Sequence, residues 1–347
     1  MGQPRGVEEV RPGFYRLVLP LPMPSLRTLN SYLLLGGGMV LLVDTGLGHK
    51  CRSALLELLS SLGLRLQDIT DILVTHFHVD HLGLAYWLKE KAGARVLMNA
   101  IEWDIITEMR EDVPAFLAEF REFFRSSGVP KGVVEQMLAR HPLSSAAESY
   151  TKLVVDEPLR DGDVVRVGSF SLRVLLTPGH SPGHTCLYEA GEKLLISGDH
   201  VLPDITPNVM DIPGRGGTAL EDYLSSLDRM SELDVKLVLP GHRSPFKGLR
   251  KRVEELRQHH LRRLSEILSI LGQRGPMTAY EIASKISWDV DYPSWEVFPA
   301  YEKSFAIRET LAHLAYLVRR GLVEEFERGG VMSVSYTHLT LPTTERV

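Results

Sequence analysis

The amino-acid sequence predicts an α/β fold with a smaller domain behind it, and three observations carry the prediction. Between residues 10 and 248, short apolar runs alternate with helical stretches, and a first domain is expected at 1–248. Several of those runs end in Gly or Pro followed by His or Asp, and the ends of buried strands are where α/β proteins place their chemistry. From Leu249 onward the pattern becomes helical and charged.

Strands are predicted in order at FYRLVLP, MVLLVD, DILVTH, RVLM, VVRVG, FSLRVLLT, KLLIS and VKLVLP, each a short Val-, Ile- or Leu-rich run with a polar or turn-forming boundary. An insert at about 101–150 interrupts them. Its Phe116, Phe120, Phe123 and Phe124 follow the i, i+4, i+7, i+8 spacing of an amphipathic helix. Pro114, Gly128 and Pro130 should divide it into short helices. It reads either as a layer packed on the sheet or as a lid, and as a lid it would make Phe120 and Phe124 an apolar wall of the substrate pocket.

Residues 249–333 begin with the helical LRKRVEELRQHHLRRLSEILSILGQ, broken at Gly275-Pro276. Thr278 and Glu281 stand three apart, as in a capping box, and a further helix stops at Gly321. A β-like pair flanks Arg328-Gly329-Gly330. Three helices and a terminal hairpin resemble a winged helix. Such domains commonly bind DNA, yet Glu254, Glu255, Glu266, Glu281, Glu302 and Glu309 nearly offset the basic residues here, and no basic stripe stands out. A packing role or a homodimer contact is expected instead of nucleic-acid binding. The stretch VSYTHLTLPT, positions 334–343, resembles the translated end of a sequencing-library adapter, so no function is assigned to residues 334–347.

The chain has 347 residues, 44% hydrophobic and 24% charged, with a formal net charge of −5, which gives no overall attraction to polyanions. No apolar run is long enough to span a bilayer, and the opening MGQPRGVEEVRPG has no signal-peptide core, so cytoplasmic residence is expected. Cys51 and Cys186 are too few for a disulfide framework and form no zinc-type pair.

Chemistry concentrates in VTHFHVDHLG, residues 74–83, where His76, His78, Asp80 and His81 fall within six positions after an apolar run. A strand alternates its side chains, so its end can present His76 and His78 to one side, and a turn brings Asp80 and His81 round to it. Neutral imidazoles and carboxylates are the ligands that zinc-class metals prefer. Unpaired, such a cluster would suffer desolvation and repulsion, which a bound cation removes. Partners follow three later β-like runs: His180 and His184 in TPGHSPGH, Asp199 and His200 in SGDH, and His242 in PGH.

H-x-H-x-D-H followed in order by TPGHSPGH, SGD and PGH resembles the metallo-β-lactamase superfamily, nearest its glyoxalase-II-like and lactonase-like hydrolases, over roughly residues 10–248. NSYLLLGGGMVLLVDTG, residues 30–46, is similar to that family's opening hairpin and Asp-Thr-Gly turn. The resemblance implies an αββα sandwich with metals at one edge of two packed sheets. It assigns His76, His78 and His180 to one metal, Asp80, His81 and His242 to a second, and Asp199 to both. It makes Asp44 and His184 supports that orient ligands, and His200 is expected to point away.

Two Zn²⁺ ions are implied, with Mn²⁺ or Fe²⁺ as alternatives. Such a pair activates water near neutral pH and polarises a carbonyl or phosphoryl oxygen. Asp80 is the expected catalytic residue, orienting the bridging hydroxide and passing on its proton. A carboxylate at 199 accompanies thioesterases, lactonases and phosphodiesterases in this family, so a small carbonyl substrate (thioester, lactone or ester) is expected. The alternatives are a metal-dependent phosphodiesterase or ribonuclease, which would need a basic track, and a non-enzymatic metal-stabilised regulator.

Overall fold

Alternating apolar side chains build two facing sheets. The computed structural model describes residues 6–23, 26–141, 143, 147–214, 216–290 and 292–337. Its first sheet runs in the order β1 (Val7–Arg11), β2 (Phe14–Pro20), β3 (Thr28–Gly36), β4 (Met39–Val43), β5 (Asp71–Val74), β6 (Arg95–Asn99) and β7 (Glu157–Leu159). Strands β1 to β4 pair antiparallel, and β4 to β7 pair parallel. The second sheet holds β8 (Val164–Val167), β9 (Phe170–Leu176), β10 (Thr185–Glu189), β11 (Leu194–Gly198) and β12 (Leu237–Pro240), in the order β12-β11-β10-β9-β8. Only β11 and β12 are parallel there.

Side chains two apart on a strand share a face. Tyr32 with Leu34, Leu41 with Val43, Val165 with Val167, Leu172 with Val174 and Leu194 with Ile196 therefore point together, and all join one buried cluster drawn from both sheets. Phe14 meets Tyr32 and Phe170 edge to face, with centroids 6.2 and 5.6 Å apart. The helix Gly48–Ser61 packs on β2, and the helix Ala85–Ala92 on β5 and β6. This is the α/β sandwich expected from the sequence. Cys51 and Cys186 are both buried, and burial raises their thiols to about 11 and about 12, so neither supplies a thiolate at neutral pH. Among the described residues, no helix is long and apolar enough to cross a membrane.

The topology gathers strand ends. β4, β5, β9, β11 and β12 end just before Asp44, His76, His180, Asp199 and His242 respectively. β10 runs antiparallel to β9 and β11, so its start, beside His184, lies at the same edge.

The chain divides into two compact units, and neither is contiguous. One comprises Met1–Phe116, Arg140–Asn208 and Asp222–Arg257; the other comprises Leu117–Ala139, Val209–Glu221 and Gln258–Val347. Residues 117–139, expected inside a domain 1–248, thus cluster with the second unit. The reason is packing: Phe120, Phe124, Val129, Val134 and Met137 share a buried cluster with Ala283 and Ile307. The insert folds as Ala100–Glu111, Val113–Ser126, Lys131–Leu138 and Ala147–Thr151. Pro114 falls in the first turn of its helix, where a missing N–H costs nothing, and the division it marks lies just before it, at Asp112.

The second unit also holds a sheet of order β13-β15-β14, made of β13 (Met277–Thr278), β14 (Val323–Arg328) and β15 (Val331–Tyr336). Gly329 and Gly330, at φ +63 and +78, form the two-residue hairpin turn that needs left-handed backbone at both positions. Thr278 and Glu281 make both bonds of the capping box. Of the adapter-like stretch, 334–336 lie in β15, and 338–347 lie outside the described residues.

Candidate metal centre

β5 delivers Thr75 to His78 into an irregular segment, and the short helix Val79–Leu82 then carries Asp80 and His81 back toward it. Asp44, at the end of β4, adopts φ +61, a left-handed conformation that a short acidic side chain tolerates better than most. Its Oδ1 accepts the Thr75 amide at 2.8 Å. Its Oδ2 stands 2.8 Å from His81 Nδ1 and 2.9 Å from Thr75 Oγ1. Since Thr75 Oγ1 is also 3.0 Å from His76 Nδ1, one hydroxyl can accept from that imidazole and donate to the carboxylate.

Three ring nitrogens converge beside this frame. His76 Nε2 lies 3.0 Å from His78 Nδ1 and 3.2 Å from His180 Nε2. A second group is acidic: His242 Nε2 lies 3.2 Å from Asp80 Oδ2, and His81 Nε2 lies 3.8 Å from the same oxygen. Asp199 reaches both groups. Its Oδ1 is 3.5 Å from His81 Nε2, and its Oδ2 is 3.4 Å from His242 Nε2 and 3.7 Å from His180 Nε2. Ligand atoms of His76/His78/His180, of His76/His81/Asp199 and of Asp80/His81/His242 each lie within 4.8 Å of one another.

For three of the rings, a partner on the far side fixes the tautomer. His180 Nδ1 donates to the Asn208 carbonyl at 2.7 Å, His242 Nδ1 to the Thr28 carbonyl at 2.7 Å, and His81 Nδ1 to Asp44. A ring that donates through one nitrogen offers the other as a lone pair, the arrangement metal-binding histidines need.

The fit to a divalent cation rests on orphaned atoms. Asp80 Oδ2, His81 Nε2, Asp199 Oδ1 and His242 Nε2 are buried with no hydrogen-bond partner, so their mutual approaches lack hydrogen-bond geometry. Buried polar atoms without partners are costly, and four in one cluster match a cation's donor set. Electrostatics agree. Burial pushes His76 well below the usual imidazole range, helped by repulsion from His81, His78 and His180. Burial also opposes charge on His242, yet Asp199 and Asp80 override it and raise the group to about 10. The carboxylates thus draw positive charge into the pocket, and metal binding replaces protons with a cation.

His184 has both nitrogens committed. Nδ1 is 2.8 Å from Thr177 Oγ1, and Nε2 accepts the Asp199 amide at 3.1 Å, so the ring holds the backbone of Asp199 and has no free lone pair to offer. His200 is buried, stands edge-on to Tyr223 at 5.0 Å, and is pushed by burial to about 3. Phe120 and Phe124 are core side chains of the second unit, and that packing accounts for the spacing that suggested a pocket wall.

Residues without a spacing signal complete the frame. Buried Asn30 donates to the carbonyls of Pro240 and Arg243 at 2.8 and 2.7 Å, bracketing His242 from 210 and 213 residues away. Buried Glu102 accepts the amides of Phe77 and Gly183.

Comparison with known proteins places this geometry. The model of the metallo-beta-lactamase superfamily matches residues 26–242. A solved metallo-beta-lactamase family protein from Thermus thermophilus is 36% identical, covering 95% of this chain and 100% of its own, with a TM-score of 0.80. A probable metallo-hydrolase of Bacillus subtilis is 26% identical over 86% of this chain and 91% of its own length. An atrochrysone carboxyl ACP thioesterase of Aspergillus fumigatus is 26% identical over 71% of this chain and 61% of its own length. The chain belongs to the metallo-β-lactamase superfamily, as a metal-dependent hydrolase.

Proposed function

We propose that the protein is a binuclear zinc hydrolase of small carbonyl substrates, a thioester, lactone or ester. The observation that carries this reading is Asp199, whose oxygens lie within 3.4–3.7 Å of ligand nitrogens from both groups. A shared carboxylate suits a paired-metal site, and seven ligands spread over two ions leave coordination positions open. When bound, two such ions supply a water nucleophile near neutral pH and polarise the carbonyl under attack.

The chain's own residues then divide the work. His76, His78 and His180 would hold one ion; Asp80, His81 and His242 would hold the other. Asp80, buried beside His242, orients the attacking water and relays its proton toward the leaving group. Asp44 and His184 fix the His81 ring and the Asp199 backbone. The same donors accept Mn²⁺ or Fe²⁺. The likeness to a thioesterase supports an acyl substrate, and the net charge of −5 gives no support to RNA.

A panel of thioesters, lactones, aryl esters and phosphodiesters, assayed with Zn²⁺ restored, tests this. Turnover is expected on the acyl compounds. Metal-dependent cleavage confined to the phosphodiesters, with RNA binding that weakens steeply as salt rises, would move the protein to the nuclease class.

A further inference from the structure

We propose that Glu102 is a positioning residue for the His76/His78/His180 group, through which the insert sets how tightly that group holds its ion. This rests on the metal reading above. Asn99 caps the helix Ala100–Glu111 by accepting the Ile101 amide, which places Glu102 in the first turn, where an anion is favoured by the helix dipole. Its side chain is fully buried. One oxygen accepts the Phe77 amide at 2.7 Å, and the other accepts the Gly183 amide at 2.6 Å.

Phe77 is the residue between His76 and His78, and Gly183 lies within the turn Ser181–His184 that directly follows His180. One carboxylate thus ties together the two loops that bring the three imidazoles to one point. Gly183 is matched to it: a Cβ there would stand 2.8 Å from Glu102 Cγ and from the Glu102 backbone nitrogen.

The other side of the same peptide segment is held by the helix Ala147–Thr151. Tyr150 Oη donates to the Phe77 carbonyl at 2.8 Å, and Ser149 Oγ donates to the Gly83 carbonyl at 2.9 Å, just past the turn bearing Asp80 and His81. Two pieces of the insert therefore fix the backbone on which these ligands are mounted. Partners that orient metal ligands are worth about 10- to 100-fold in metal affinity.

Glu102→Gln keeps the volume but leaves one acceptor oxygen, so an NH₂ group faces one of the two amides. The test titrates chelator-stripped protein with Co²⁺, following the visible spectrum, and with Zn²⁺ against a competing chelator. His78→Ala serves to assign the steps. Wild type should bind in two steps, and Glu102→Gln should weaken the step assigned to His76/His78/His180 by about 10- to 100-fold while leaving the other unchanged. Folded Glu102→Gln with both steps unaltered, or with both weakened alike, overturns the proposal. Should Glu102→Gln fail to fold, Tyr150→Phe decides: it should weaken the same step, and an unaltered step overturns the idea. Wild type that binds no metal would instead sink the metal reading on which the proposal stands.

Discussion

Asp199→Ala should lower hydrolytic turnover by at least about a hundredfold, the scale lost when one main electrostatic stabiliser is removed from an active site. The carboxylate stands within 3.7 Å of ligand nitrogens from both groups, and its backbone amide is fixed by His184. On the paired-metal reading, losing it would remove a ligand from each ion and the negative charge that offsets both. Asp44→Ala leaves every direct ligand in place and frees only the His81 ring and Thr75, so its loss should be smaller, about 10- to 100-fold. Parallel assays of the two variants, with metal content measured on the same samples, check the order. Full activity in Asp199→Ala would overturn the paired-metal reading.

Gly241→Ala should cost about 1–3 kcal/mol of stability through overpacking and remove most activity from the protein that still folds. Gly241 is not in the left-handed region, so alanine brings no backbone strain. Its Cβ, however, would stand 2.5 Å from Asp199 Oδ1 and 2.9 Å from His81 Cε1, inside the space between the ligands. Both groups must shift, and a displacement of about 1 Å at a reacting centre costs about a hundredfold. Thermal unfolding combined with metal content and kcat distinguishes the outcomes. A wild-type metal content and rate would mean the ligands can yield without consequence.

The sequence carried the ligands more clearly than their supports. His76, His78, Asp80 and His81 are adjacent in the chain, so local spacing reveals them. His180, Asp199 and His242 each follow a strand with Gly or Pro punctuation, a signal that any α/β reading can find. The supporting groups have no such mark. Glu102 meets Phe77 across 25 residues, Tyr150 across 73, and Asn30 meets Pro240 across 210, and each is an ordinary residue in its own neighbourhood. The insert shows the same limit from the apolar side. Spacing at Phe120 and Phe124 told that a helix face is buried, but a periodicity does not name its partner. The partners are Ala283 and Ile307, more than a hundred positions later, and so part of the insert belongs to a unit built largely from the C-terminal residues.

Metal content of the purified wild-type protein, measured by elemental analysis alongside activity before and after chelation, tests the paired site most directly. About two zinc-class ions per chain are expected, with activity lost on stripping and restored on return. Full activity in protein that holds no metal, or a single tightly held ion that saturates the activity, would contradict it.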